Sequence, residues 1–160
     1  MIFTQRALER TGFVGWIPFA DVRSSMCPIT AGVYVVTCDV EDHITFADKS
    51  SGGWFKGRDP SVTPEALAAN WVDGAEVVYI GKADVLQRRL REFAEFGAGK
   101  SVGHWGGRLI WQLANVANLR LGWKETPNED PGVVEAELIR QFRLNYGKPP
   151  FANNPHRLGR

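Results

Sequence analysis

The stretch at residues 77–93, VVYIGKADVLQRRLREF, constrains the fold of this chain more than any other. A short apolar run ending in Tyr79-Ile80-Gly81 passes through Lys82-Ala83-Asp84 into an amphipathic segment, which predicts a strand that delivers its last side chains beside the start of a helix. With Val85 as an early helical position, Leu86, Leu90 and Phe93 recur at i, i+4 and i+7 as a buried stripe, and Arg88 and Arg91 fall on the far side. Arg89 sits on the flank of that stripe. A half-sheltered guanidinium there needs an anionic partner, either a carboxylate from another helix or an anionic ligand.

The rest of the chain permits a single domain: 160 residues can bury a real core, and 44% apolar and 23% charged residues are ordinary values for a globular protein. No apolar run reaches the roughly 18 residues of a transmembrane helix. The start, MIFTQRALERTGF, lacks the basic and apolar regions of a secretory signal, so the expectation is a cytoplasmic protein without a membrane partner. Cys27 and Cys38 form no CxxC pair and His43, His104 and His156 are scattered, which argues against a zinc site and a disulfide framework. The net charge of +1 hides an uneven distribution. Asp39, Glu41, Asp42 and Asp48 form one acidic stretch and residues 125–137 another, whereas Arg140, Arg143, Lys148, Arg157 and Arg160 follow residue 138 without an acid. A basic tail beside a basic helix suits contact with phosphates or a merely solvated surface.

In chain order, residues 4–11 predict a short helix capped by Thr4, after which the Gly and Pro of GFVGWIPF break any regular pattern. Phe13, Trp16 and Phe19 are expected to pack this N-terminal arm, residues 1–30, onto the core. Residues 32–37, GVYVVT, predict a strand. A polar, turn-rich region follows from residue 39, with WFKGR at 54–58 as a hairpin or loop and a Thr63-capped helix with Pro64 at its first position. The second strand, at 76–80, is expected antiparallel to the first, and the next helix is expected to be capped by Asp84 and to stop at Gly97. A further helix is expected at 105–115, a half-buried strand at 118–124, and a helix from Asp130-Pro131 to Tyr146, ended by Gly147. The fold class is α+β: a small, mainly antiparallel sheet flanked by helices.

On the last helix Val134, Leu138, Ile139 and Phe142 define the apolar face, and Glu135 projects within it. An unpaired carboxylate there would cost several kcal/mol, so it should meet a cation, either a metal ion or an arginine such as Arg89. Beyond the helix, Asn153 and Asn154 place amides beside the basic tail, where asparagine is also common in turns for local reasons.

Taken together, Gly32-Val33-Tyr34, Tyr79-Ile80-Gly81, Arg89 ten residues past that tyrosine, Glu135 on a later helix and Asn153 beyond it resemble the GIY-YIG nuclease family. YIGKADVLQRRL is similar to the segment that homing endonucleases and the incision subunit of bacterial excision repair carry. The resemblance covers roughly residues 31–154, interrupted by a long insertion at 39–75. It implies a compact sheet with its helices and a phosphodiesterase that cuts DNA, with RNA as the other nucleic acid left open. It also implies one divalent metal, Mg²⁺ or Mn²⁺, held by Glu135 with water and phosphate as most other ligands. Arg89 would clamp the scissile phosphate, Tyr34 would orient or deprotonate the attacking water with Tyr79 in support, and Asn153, with Asn154 in reserve, would hold geometry at the edge.

One position departs from the pattern. Many members carry His or Tyr four residues after the arginine, where this chain has Phe93, which cannot transfer a proton. Lys82 and His104 are the natural substitutes; a hydrogen-bonded surface or capping role is the other reading of His104. Phe93 and the modest net charge also motivate a second function class, a domain of this kind that binds nucleic acid or protein without cutting. The glycines at 97–107 lack the spacing of a nucleotide-binding loop.

Overall fold

The computed structural model describes residues 3–153. Its centre is a four-stranded sheet in the order β1 (Val14–Ile17), β4 (Arg120–Glu125), β2 (Gly32–Thr37), β3 (Val77–Ala83), with every pairing antiparallel. β2 lies inside the sheet and is buried along its whole length, which explains why GVYVVT reads as an unbroken apolar run rather than an alternating one. Its side chains divide by parity. Val33 and Val35 face a cluster with Phe3, Leu8, Phe13 and Phe142, whereas Tyr34 and Val36 face a larger one with Leu86, Leu90, Phe93 and Phe96. Helices α1 (Gln5–Arg10) and α4 (Pro131–Tyr146) cover the first face, and α3 (Leu86–Gly97) covers the second.

Helix ends follow their local chemistry with one exception. Thr4, Thr63 and Asp130 accept hydrogen bonds from first-turn amides of α1, α2 (Pro64–Asn70) and α4, and Gly147, at φ +80°, closes α4. The expected Asp84 cap on α3 is absent. The strand runs on to Ala83, Val85 occupies the cap position without a side-chain bond, and the first α3 amides donate to distant backbone instead: Leu86 N–H to Thr30 at 2.9 Å and Gln87 N–H to Pro28 at 2.9 Å. The loop before β2 therefore anchors α3 beside the sheet.

Two other expectations are corrected. The arm contains β1, which Gly15 (φ +102°) and Trp16 (φ +62°) turn into a bulged strand on β4; the bulge disrupts the alternation by which a strand is read. Residues 105–112 form 3₁₀ turns interrupted at Gly107 rather than an α-helix, and residues 107–112 are all buried, so no one-sided apolar stripe exists there. The insertion is tied to this segment by Gln112, whose side chain accepts from Val62 N–H at 2.8 Å and donates to Ala47 at 3.0 Å and Val62 at 2.8 Å. As expected, Phe13 and Phe19 are buried, while Trp16 is half-buried against Gly122. Among the described residues no helix is long and apolar enough to cross a membrane.

Candidate functional site

Tyr34 and Gly81 oppose each other across β2 and β3, and the hydroxyl end of the tyrosine ring lies over the glycine. A Cβ at Gly81 would stand 2.6 Å from the Tyr34 hydroxyl, so only glycine leaves room for the ring. Gly32 answers the same demand on the other side of β2, where a Cβ would meet the Lys124 carbonyl oxygen at 2.2 Å. Tyr79, one position before Ile80, packs beside Tyr34 with ring centres 6.0 Å apart. Both hydroxyls stay protonated at neutral pH. Burial pushes Tyr34 well above its ordinary value of 10.0, and Tyr79, again chiefly through burial, is pushed up to about 12.

A cavity of about 590 Å³, open to solvent, brings Tyr34 and Tyr79 together with Lys82, Arg88, Arg89, Glu92 and Glu135. Five of the seven expected site residues thus surround one space. α3 contributes Arg89 and α4, from the opposite face of the sheet, contributes Glu135 past the β3 edge. Arg89 does not pair with Glu135. It donates to Glu92 at 3.2 Å and to the Gly103 carbonyl, contacts that hold its guanidinium at the cavity wall while leaving it part-exposed. Glu92 is a member of the site that the sequence motifs do not mark, although its position three residues along the same helix is a readable pairing signal.

Glu135 is half-buried and makes no hydrogen bond or ion pair with any described residue; burial raises its carboxyl above the ordinary 4.5, offset by the charge of Lys82. A lone carboxylate facing open solvent-filled space fits a hard cation that takes most of its ligands from water and substrate. Among the described residues no three His, Cys, Asp or Glu groups are placed to hold a metal ion together; of the cavity's other carboxylates Glu92 is paired with Arg89 and Asp84 is exposed, so a metal bound here would take Glu135 as its half-buried protein carboxylate.

His104 is neither at the surface nor a side-chain cap. It is buried, its Nε2 lies 2.8 Å from the Tyr34 hydroxyl, and its ring stacks on Phe93 at 3.8 Å between centres and 7° between planes. Burial and then the Arg89 charge lower it well below 6.5, so the imidazole is neutral. Nδ1 has no hydrogen-bond partner among the described residues. With the Tyr34 proton in place, Nε2 serves as the acceptor.

Asn153 lies outside the cavity wall. Its amide receives Ile80 N–H at 2.9 Å and donates to the Ile80 carbonyl at 2.8 Å, substituting for a fifth strand along the free edge of β3. It thereby holds the residue between Tyr79 and Gly81. Asn153→Ala is expected to lower the unfolding free energy by about 2 kcal/mol in urea titration. Asn153→Asp, which keeps the acceptor but turns a carboxylate oxygen toward the Ile80 carbonyl, should be at least as destabilising. Asn154 and the basic tail lie outside the described residues.

Comparison with family models, with curated proteins and with solved structures finds no match, so the site has to be interpreted through its own chemistry.

Proposed function

We propose that this protein is a metal-dependent endonuclease of the GIY-YIG type that hydrolyses phosphodiester bonds in DNA. The observation that carries the reading is the convergence of Tyr34, Tyr79, Lys82, Arg89 and Glu135 on one open cavity, with His104 bonded behind Tyr34.

In this reading Arg89, braced by Glu92 and Gly103, grips two oxygens of the scissile phosphate. Glu135 would hold Mg²⁺ or Mn²⁺, which would supply Lewis-acid charge for the phosphate and the departing oxygen. A buried phenol that resists ionisation is a poor base on its own, and the Tyr34–His104 contact resolves this. As the water oxygen bonds to phosphorus, a water proton passes to the Tyr34 oxygen while the Tyr34 proton passes to His104 Nε2, and the bond from phosphorus to the leaving oxygen breaks. Placing that proton beside Arg89 is unfavourable, so the transfer is coupled to negative charge developing on the phosphate rather than preceding it. Tyr79 packs against this relay and Asn153 holds the strand that carries it. Lys82 contributes positive charge that keeps Glu135 ionised.

The purified protein is expected to nick or cut DNA with Mg²⁺ or Mn²⁺ and to stop when the metal is chelated. Absence of cleavage with either metal, alongside salt-dependent DNA binding, would assign the domain to binding alone.

The pH profile follows from the signs of the shifts. Because burial lowers His104 well below 6.5 in the folded state, its neutral form persists as pH falls through 6.5 and is lost only in more acid solution. The raised Glu135 adds its own loss in acid, above 4.5. Cleavage should therefore be flat from about pH 9 down through about pH 6.5, with no His104 step near neutrality, and fall only in more acid solution, measured as kcat/KM at constant ionic strength.

A further inference from the structure

The insertion carries a tight hairpin at residues 54–58 that lies outside the cavity already described. Phe55 and Arg58 exchange backbone hydrogen bonds, at 3.2 Å and 3.1 Å, across a turn whose two central residues, Lys56 (φ +53°) and Gly57 (φ +74°), are both in the left-handed region, as a type I′ turn requires. Asparagine or glycine suits the first of these positions; a lysine there bears backbone strain and sets an ammonium group at the tip. Next to it Trp54 is 58% exposed, and its indole makes no ring contact or hydrogen bond with any described residue. An aromatic face is left open beside a cation.

The hairpin is fixed to the wall of the candidate site. Gly53 N–H donates to the Phe96 carbonyl near the end of α3 at 2.8 Å, and a Cβ on Gly53 would stand 2.0 Å from the Lys100 carbonyl oxygen. The Phe55 ring reaches Gly103, whose carbonyl receives Arg89, with 4.0 Å between the ring and the place a Gly103 Cβ would take. Phe96 follows Arg89 by seven residues of α3, which is about 10 Å of helix, or about three base steps along a nucleic-acid strand. Lys56 and Lys100 are exposed and neither forms an ion pair with a described residue. Nearby acids are engaged elsewhere: Asp59 by Lys49 at 3.6 Å and Ser61 N–H at 2.8 Å, and Glu95 by Arg23 at 2.8 Å. We propose that the hairpin is a strand clamp, in which Trp54 stacks on an unpaired nucleobase and Lys56 and Lys100 meet phosphates of the same strand, flanking the bond that Arg89 holds. Its place in cleavage rests on the nuclease reading; the stacking chemistry does not. One open ring among lysines is too little apolar area for a protein interface, and the bases of a duplex are already stacked on each other, whereas an unpaired strand offers both a free base face and phosphates.

The test uses the whole protein in chelator, so that no cleavage intervenes, and compares wild type with Trp54→Ala, Trp54→Phe and Lys56→Gly. Each variant is checked by thermal melting; Lys56→Gly relieves the left-handed position and should melt no lower than wild type. A fluorescent single-stranded oligonucleotide and the duplex made from it are titrated by anisotropy. Trp54→Ala should weaken single-strand binding by about tenfold and leave duplex binding within about threefold, while Trp54→Phe, which keeps a ring to stack, should recover most of the affinity. Lys56→Gly should reduce the salt slope on the single strand by about 0.7. Unchanged single-strand affinity in Trp54→Ala overturns the proposal, as does a wild type that binds no single strand, or an equal loss on single strand and duplex. If the wild type cuts nothing with either metal but Trp54-dependent binding persists, the nuclease reading fails and the clamp stands. If the wild type cuts, and Trp54→Ala binds and cuts as well as it does, the clamp falls and the nuclease reading stands.

Discussion

Changing Glu135 to glutamine is expected to abolish cleavage, by about a thousandfold or more, while leaving the melting temperature at or above that of the wild type. The two effects have one cause. The carboxylate is half-buried with no hydrogen-bonded or ion-paired partner among the described residues, and burial raises its carboxyl above 4.5. A carboxyl raised in the folded state contributes stability that is lost as pH rises through its folded value, so at neutral pH the ionised group opposes folding. The amide removes that opposition and the charge needed by a metal in the same step. Thermal melts in chelator and cleavage assays with Mg²⁺ or Mn²⁺ check the pair. A variant that cuts at the wild-type rate would exclude Glu135 as a metal ligand, and one that melts well below the wild type would give the carboxylate a structural role instead.

The second large effect is expected at the Tyr34–His104 pair. Tyr34→Phe keeps the ring over Gly81 but removes the hydroxyl, and should lower kcat by about 10²- to 10⁴-fold with little change in KM. It also strips His104 Nε2 of its partner in a site where Nδ1 has none among the described residues, at a cost of about 1–3 kcal/mol in stability. Stability and rate can be separated by exchange of the stacked rings. Phe93 and His104 each lie 6.2 Å from the Tyr34 ring centre. His104→Phe alone should therefore lose the relay, and adding Phe93→His, which returns an imidazole to the position four residues after Arg89, should restore part of the rate. A Tyr34→Phe protein that cuts within about threefold of wild type would remove the phenol from the chemistry.

The ring pair also marks a limit of sequence reasoning. Phe93 reads as a missing proton carrier when only the position four residues after Arg89 is considered. The structure brings His104 from a 3₁₀ turn onto the face of Phe93, and Gly107 permits it, since a Cβ there would stand 2.9 Å from both rings. Nothing in a linear interval encodes such stacking. Arg89 and Glu135 were legible individually, as charges on apolar helix faces, but whether they paired with each other or faced a shared space was not.

Local patterns alone determined the β-branched and aromatic runs that make β2 and β3 strands, the caps at Thr4, Thr63 and Asp130, the stop at Gly147, and the two charges that the helices hold against their apolar faces. These depend on neighbours within a few residues, where dihedral preference and side-chain period decide the outcome. Only the tertiary structure decided the rest. The bulge at Trp16, the backbone carbonyls of Pro28 and Thr30 that begin α3, the amide of Asn153 on the edge of β3 and the imidazole behind Tyr34 are contacts between segments tens of residues apart. Each satisfies a donor, an acceptor or a steric gap created by folding, and so has no counterpart in the unfolded chain.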